Sequence, residues 1–253
     1  MPRYYDLSAP LVPTPEGLPE LLAVRVDLSS HADGAEAIEA MLGVGPELLR
    51  DGEGWAVETI SLGTHNTTHV DAPWHYNSTI QGSPAATIDE LPLDWFHGPG
   101  VVIEARGRDE GDALTVEDFE RGLEQAGHEL QAGDVVLVRT GGDRFLDDPG
   151  YMALGCGVTA QATVWLCDQG IRLMGIDAWG WDRPLHLEAE DARAADEKGI
   201  FWAAHQCDRA YSQIERLAGL DALPLAGFEV FAFPLKVVGG SAGPARVVAI
   251  EAD

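Results

Sequence analysis

The chain is poor in features that mark several large classes of protein. It has three cysteines, Cys156, Cys167 and Cys207, and no Cys-x-x-Cys pair, which argues against a disulfide framework and fits a reducing compartment. No apolar run reaches the roughly 18 residues that a membrane-spanning helix requires. The first residues do not follow a signal-peptide pattern. We therefore expect a cytoplasmic protein that does not contact a membrane.

Basic residues are also scarce. The chain has only 16 Lys and Arg residues but 42 Asp and Glu residues, which gives a formal net charge of −26. Such a surface repels nucleic acid, so the expected partner is a small-molecule substrate. The acidity is typical of a highly soluble protein or of a salty habitat, and it would also attract divalent cations. We expect a homo-oligomer, a dimer or tetramer, because metal sites and pockets often lie at subunit boundaries.

Several common catalytic signatures are missing. Asn66 stands where a zincin motif, His-Glu-x-x-His, would have its Glu, and no Gly-x-Ser-x-Gly sequence is present. Gly141 and Gly142 follow a predicted strand but lack the rest of a Gly-x-Gly-x-x-Gly phosphate-binding turn. These absences argue against a zincin mechanism, a serine hydrolase and a phosphate-binding turn at Gly141 and Gly142.

A dense cluster of metal-binding side chains is present. His65, His69, Asp71 and His75 follow the spacing His-x3-His-x-Asp-x3-His within eleven residues. His69 and Asp71 are two residues apart, so their side chains point to the same side of an extended segment. Two imidazoles and one carboxylate are typical of an open catalytic Zn²⁺ site, and Mn²⁺ and Fe²⁺ also accept nitrogen and oxygen ligands. The cluster predicts a metal site; the alternative is a surface loop or core histidines bonded to the backbone.

The conformation of this cluster follows from its non-ligand residues. Thr67 and Thr68 are β-branched and weak helix formers, and Pro73 disfavours continuation of a regular element. We therefore expect a strand end that runs into an irregular loop, preceded by a strand at 55–62.

The remaining pattern mixes strands and helices without a strict β-α repeat, which predicts an α/β fold with a mixed β-sheet. With 253 residues and 45% hydrophobic content, the chain can form one large domain. Further strands are predicted at 5–8, 101–105, 135–140, 171–176, 228–236 and 245–250, helices at 34–50, 115–126 and 159–169, an extended arm from Pro10 past Pro15, a helical or turn-like segment at 217–223, and an irregular acidic insertion at 182–198.

Asp177 directly follows a predicted buried strand, in a segment that also contains Trp179 and Trp181. Ligands and catalytic groups concentrate at strand ends in open α/β sheets. These residues, together with Trp74, are candidates for the walls of a pocket for a small aromatic or cyclic substrate. The alternative is a structural turn in which Asp177 binds backbone amides.

The segment 65–75 resembles the signature His-x-Gly-Thr-His-x-Asp-x-Pro-x-His of the cyclase-like metal-dependent hydrolases. That family includes bacterial kynurenine formamidase, isatin hydrolase, trans-dienelactone hydrolase and polyketide cyclases. Other blocks that look like the family's occur in its order: Asp6-Leu7-Ser8, Val138-Arg139-Thr140-Gly141, Gly175-Ile176-Asp177, Glu215-Arg216-Leu217-Ala218-Gly219-Leu220 and Phe233-Pro234-Leu235-Lys236. The resemblance implies a single domain over residues 1–253 with a swivelling β/β/α fold, usually oligomeric.

The resemblance also implies roles for individual residues. The matching metal ligands are His65, His69 and Asp71. His75 matches the catalytic histidine, which also binds a second ion in two-metal members of the family. His205 and Glu215 look like a downstream pair that completes the second site or acts on the substrate.

Two departures from the family pattern stand out. Thr67 replaces the usual Gly, and His205 and Glu215 are ten residues apart where about twelve are expected.

Together these features predict a metal-dependent hydrolase of an amide, formamide or lactone bond in a small cyclic or aromatic substrate. One or two Zn or Mn ions would activate water, and His75 would act as general base. Glu215 or His205 would orient the water or stabilise the tetrahedral intermediate. One alternative is a cyclase or lyase that polarises a ketone with the same metal. Another is a metal-dependent binding protein without turnover.

Overall fold

The computed structural model describes residues 1–14 and 22–252; residues 15–21, within the predicted arm, and residue 253 lie outside the described part. The α-helices are α1 (His31–Leu42), α2 (Pro73–Tyr76), α3 (Val116–Ala126), α4 (Ala160–Asp168) and α5 (Leu185–Ala195). The strands are β1 (Arg3–Asp6), β2 (Arg25–Ser29), β3 (Val57–Ser61), β4 (His69–Asp71), β5 (Thr79–Ile80), β6 (Ser83–Pro84), β7 (His97–Glu104), β8 (Ala113–Leu114), β9 (Val135–Arg139), β10 (Gly157–Val158), β11 (Leu173–Ile176), β12 (Ser212–Glu215), β13 (Ala226–Phe231), β14 (Ala242–Pro244) and β15 (Val248–Glu251).

The chain forms two compact units, a larger one of residues 1–9 and 67–253 and a smaller one of residues 10–66. In the smaller unit, β2 and β3 form an antiparallel ribbon beside α1. Ser30 and Asp33 form a capping box that starts α1, and Gly43 ends it in the left-handed conformation. Gly43 therefore stops the predicted 34–50 helix early. The assignment of residues 1–253 to a single domain stays a prediction.

The larger unit is organised around a nine-stranded sheet in the order β1-β15-β13-β7-β9-β11-β12-β4-β14. Its four central strands β7, β9, β11 and β12 run parallel, and the flanking pairs are antiparallel. All of β9 is buried because Val136 and Val138 pack into one hydrophobic cluster while Val135 and Leu137 pack into another. The predicted α/β fold with a mixed sheet is confirmed.

Helix boundaries follow local capping. Thr115 and Asp118 form a capping box at the start of α3, and Gly127 ends it at φ 60°. The prediction of an irregular segment at 182–198 is wrong, because that segment contains α5. Its run of Ala, Leu and Glu residues has high helix propensity, which the acidic composition obscured. No helix within residues 1–14 and 22–252 is both long and apolar enough to cross a membrane.

Candidate active site

Strand β4 carries two of the predicted metal ligands. His69 and Asp71 are fully buried, and the Nε2 atom of His69 lies 3.3 Å from Oδ1 of Asp71. The alternation of side chains along a strand brings the two to one face of the sheet, as the spacing predicted. The other ring nitrogen, Nδ1, lies 2.8 Å from the carbonyl oxygen of Thr67 and donates a hydrogen bond to it. This bond fixes the ring so that Nε2 is directed at the carboxylate, an arrangement common in metal-binding histidines.

Strand β12 adds a second carboxylate. Its antiparallel pairing with β4 places Glu215 opposite His69 and Gln213 opposite Asp71. Oε2 of Glu215 lies 3.7 Å from Nε2 of His69. One ligand atom from each of His69, Asp71 and Glu215 lies within 4.8 Å of the other two. The pairing of two strands, distant in sequence, thus assembles a compact group of nitrogen and oxygen ligands.

The chemistry of this group fits a divalent cation. Burial lowers the pKa of His69, but the neighbouring carboxylates of Asp71 and Glu215 more than offset it, so that its pKa is raised. Two carboxylates in a buried position are unfavourable unless positive charge compensates them. Zn²⁺ accepts His nitrogen and Asp or Glu oxygen as ligands, and Mn²⁺ accepts the same atoms. The residues present therefore fit the metal that the sequence predicted.

Gln213 connects the carboxylates of Asp71 and Glu215 to His205. Its Nε2 atom donates to Oε1 of Glu215 at 2.9 Å and to Oδ2 of Asp71 at 3.3 Å, and it lies 2.5 Å from Nε2 of His205. Its Oε1 atom accepts a hydrogen bond from the Tyr211 hydroxyl. Gln213 was not among the site residues predicted from the sequence. Its position two residues before Glu215 is the signal that could have identified it, because the two residues share a face of β12.

His205 lies beside Glu215, with its Nε2 atom 3.4 Å from Oε1 of that residue. The Asp182 carboxylate accepts a hydrogen bond from Nδ1 of His205, and it also accepts from the backbone N–H groups of His205 at 3.1 Å and Ala204 at 2.8 Å. Burial lowers the pKa of His205, but Asp182 and Glu215 outweigh it and raise the pKa to about 10. The structure thus brings His205 and Glu215 together, and it adds Asp182, which was not among the predicted site residues.

His75 completes the cluster in the larger unit. Pro73 ends the extended segment and occupies the first turn of α2, which carries half-buried His75. The His75 ring lies 5.8 Å from the His205 ring, measured between centroids. Trp202 contacts both rings, edge-on to His75 at 5.0 Å and stacked on His205 at 4.3 Å. The expected irregular loop is therefore partly wrong, since a helical turn presents His75.

His65 belongs to the smaller unit, where it lies half-buried in a turn four residues before His69 along the chain. Its role as a metal ligand stays a prediction.

The segment around Asp177 has a structural role. The Asp177 carboxylate accepts hydrogen bonds from the backbone N–H and hydroxyl of Thr140 and from the N–H of Gly141. Burial raises the pKa of Asp177 to about 6 despite these bonds. Its side chain links the segment after β11 to the segment after β9. These contacts are those of the structural turn given above as the alternative to a pocket wall.

The three tryptophans differ in their surroundings. Trp181 is fully buried in the core and donates from Nε1 to the Thr163 hydroxyl, so it offers no surface to a substrate, contrary to expectation. Trp74 is 44% exposed on α2. Trp179 is half-buried, with the guanidinium of Arg216 over its ring.

Thr67 explains one departure from the family pattern. Its φ is 56°, in the left-handed region that glycine adopts without strain. Thr67 thus keeps the backbone conformation that a glycine would favour, and its carbonyl oxygen accepts the hydrogen bond from Nδ1 of His69.

The model of the family described as "Putative cyclase" matches residues 5–183, more than half of the chain. The chain belongs to this cyclase family. Kynurenine formamidase from Paracidovorax citrulli is 32% identical over 192 residues, which cover 76% of this cyclase-family chain and 78% of the relative.

Solved structures show the same fold. Isatin hydrolase A from Ralstonia solanacearum superimposes with a TM-score of 0.77 at 25% identity, over 99% of this chain and 92% of that one. A protein described as a potential metal-dependent hydrolase with cyclase activity gives a TM-score of 0.64 at 25% identity, with both chains fully covered. These named relatives of the cyclase-family chain are hydrolases, which supports its assignment as an enzyme.

Proposed function

We propose that the chain is a metal-dependent hydrolase that cleaves an amide bond, a formamide or a cyclic amide, in a small aromatic substrate. The observation that carries the proposal is the buried group of His69, Asp71 and Glu215, which Gln213 connects to His205. The names of the relatives, kynurenine formamidase and isatin hydrolase, favour aromatic amides over lactones. Residues 1–253 would form one domain of this type.

His69, Asp71 and Glu215 would hold the ion, with His65 and His75 as further ligands; Zn²⁺ and Mn²⁺, as one or two ions, both suit them. When bound, such an ion supplies a water of lowered pKa, about 7, and polarises a carbonyl. Gln213 would keep the two carboxylates in place through its amide hydrogen bonds.

His75 would act as the general base. Its place on a separate helical turn, 5.8 Å from the ring of His205, gives the site two imidazoles with distinct surroundings. His75 would take a proton from the attacking water and return it to the departing nitrogen. Proton transfer of this kind contributes about 10²–10⁴-fold to the rate.

His205 would have a different role. Against the effect of burial, Asp182 and Glu215 raise its pKa to about 10. Its ring would orient the attacking water or stabilise the tetrahedral intermediate. Asp182 would position the ring from its far side, and Trp202 would keep it stacked.

The experiment is hydrolysis of N-formylkynurenine and isatin, with an aromatic lactone for comparison, followed by mass spectrometry. We expect isatin to gain the mass of one water on ring opening, and N-formylkynurenine with one water to give kynurenine and formate. His75→Ala should reduce turnover by at least about 100-fold while the ion at His69, Asp71 and Glu215 is still bound. His186→Ala, which removes an exposed histidine from α5, is the matched control and should retain activity.

The same experiment separates the alternatives. Ring closure of a ketone without uptake of water would indicate a cyclase or lyase. Saturable binding of the aromatic amides with no product would indicate a binding protein. Near-normal turnover by metal-loaded His75→Ala would refute the assignment of the base.

We also propose that the protein is a cytoplasmic homo-oligomer, a dimer or tetramer. All five residues of β3 are exposed, which leaves this ribbon available for contact with another subunit. Light scattering coupled to size-exclusion chromatography would measure the assembly.

A further inference from the structure

The larger unit buries two arginines, and they differ in how their charge is compensated. Arg139 donates from Nε and Nη2 to Glu104, at 3.1 and 2.9 Å, and from Nη1 to two backbone carbonyls. Arg216 is 92% buried, since its exposed fraction is 8%. Among the described residues, no carboxylate forms an ion pair with its guanidinium.

The contacts of the Arg216 guanidinium are with Trp179. Its central carbon lies 3.5 Å from the centroid of the Trp179 ring, and Nε makes a long contact of 3.5 Å with the Trp179 carbonyl oxygen. The outer nitrogens of the group, Nη1 and Nη2, make no hydrogen bond within the described part of the chain. A buried cation that forms no direct ion pair is poorly compensated, although the charges of Glu215 and Asp71 act on it, and its outer nitrogens keep their hydrogen-bonding capacity for a ligand.

The backbone at Arg216 is held in a conformation that arginine rarely adopts. Its φ is 58°, in the left-handed region. Its N–H donates to the carbonyl of Ala178 at 3.1 Å, and its carbonyl accepts from the Thr68 hydroxyl at 2.6 Å. Strained residues held by their surroundings in this way cluster at sites that clamp ligands.

Arg216 also lies next to the candidate metal ligands. It directly follows Glu215 in the chain, and the charges of Glu215 and Asp71 both act on it. Tyr151 packs edge-on against Trp179 at 5.7 Å and donates from its hydroxyl to the Asp177 carbonyl, which holds the indole in place. Arg216 thus lies beside the residues that would hold the metal, and Tyr151 helps to hold the Trp179 ring that it contacts.

We propose that Arg216, stacked on Trp179, binds a carboxylate group of the substrate. A guanidinium that lies flat on an aromatic ring keeps its planar edge available, and that edge matches a carboxylate through two parallel hydrogen bonds. The substrate class is therefore an aromatic amide that bears a carboxylate. The assignment of this substrate class rests on the proposed function. Binding of a carboxylate at Arg216 can nevertheless be measured without turnover.

A competing explanation is that Arg216 only offsets the negative charge of Asp71 and Glu215. A neutral ligand and its carboxylate analogue would then bind with similar affinity.

The test compares anthranilate with anthranilamide, which differ in the carboxylate alone. Calorimetric titration of the metal-loaded protein should show anthranilate binding at least about tenfold more tightly. Arg216→Gln should lose at least tenfold in affinity for anthranilate and change that for anthranilamide less than about twofold. Arg50→Gln, which removes one positive charge from an exposed side chain, should behave like the wild type.

Equal binding of the two ligands by the wild type would overturn the proposal. So would an unchanged preference in Arg216→Gln, because the carboxylate would then bind elsewhere, for example on the metal. Should circular dichroism show that Arg216→Gln is unfolded, Arg216→Lys replaces it, since lysine keeps the charge but lacks the planar fork. The same ratio of affinities, anthranilate to anthranilamide, should then fall relative to the wild type. A clear Arg216-dependent preference without hydrolysis of N-formylanthranilate would refute the proposed function and leave this inference standing.

Discussion

The most demanding prediction concerns Asp182→Asn, which removes one charge and little volume. Asp182 is 95% buried, since its exposed fraction is 5%, and it accepts three hydrogen bonds, two from backbone N–H groups and one from Nδ1 of His205. The remaining amide oxygen can still accept from the N–H of Ala204. The amide nitrogen, however, would face the two donors of His205.

The magnitude follows from these contacts. Each buried donor left without an acceptor costs about 1–3 kcal/mol, so two donors cost about 2–6 kcal/mol. Breaking a buried ion pair costs about 3–5 kcal/mol by an independent estimate. We therefore expect Asp182→Asn to lower the free energy of unfolding by about 3–5 kcal/mol.

Urea denaturation followed by circular dichroism measures this loss, provided that the slope against urea stays the same. Asp191→Asn is the matched control, because Asp191 also pairs with a cation, Arg183, but is more than half exposed. That exposed pair should contribute less than about 1 kcal/mol. A loss below 1 kcal/mol for Asp182→Asn would refute the reasoning that Asp182 holds His205 in place.

Three further predictions follow from other residues. Thr67→Gly should stabilise the fold by about 1 kcal/mol in thermal unfolding, because it relieves the left-handed strain and removes a buried hydroxyl without a partner among the described residues; a destabilised variant would contradict this. Gln213→Leu should weaken metal affinity by about 10–100-fold in competition with a chromogenic chelator, and unchanged affinity would exclude its role. Burial raises the pKa of Glu104, but Arg106 and Arg139 outweigh it and lower the pKa from 4.5 to about 2. Its stabilising contribution is therefore present above pH 4.5 and lost as the pH falls towards 2, and Glu104→Gln should flatten the pH dependence of unfolding in that window.

The sequence predicted those parts of the site that depend on local spacing. His69 and Asp71 could be placed on one face because two residues separate them in an extended segment. The strand β9 could be recognised as buried on both faces from its continuous apolar run. Both inferences need only the period of side chains along a strand.

Local sequence patterns could not predict the contacts between segments that are distant in the chain. Glu215 lies opposite His69 because β12 pairs with β4, and the residue spacing within either strand does not predict that pairing. The family resemblance alone pointed to Glu215 and His205, while Gln213 and Asp182 were missed.

The residue type alone could not decide whether a tryptophan lies in the core or in the wall of a pocket. Trp181 fills the core although it was expected in a pocket wall, since a large aromatic side chain suits either place.

The central claim is that the group around His69, Asp71 and Glu215 holds a divalent cation needed for hydrolysis. The direct measurement is turnover of an aromatic formamide by chelator-dialysed protein, titrated with Zn²⁺ or Mn²⁺ while bound metal is quantified. We predict that turnover returns in proportion to bound metal in the wild type and stays absent in Asp71→Asn, which binds the ion weakly. Full turnover after complete removal of metal would contradict the account.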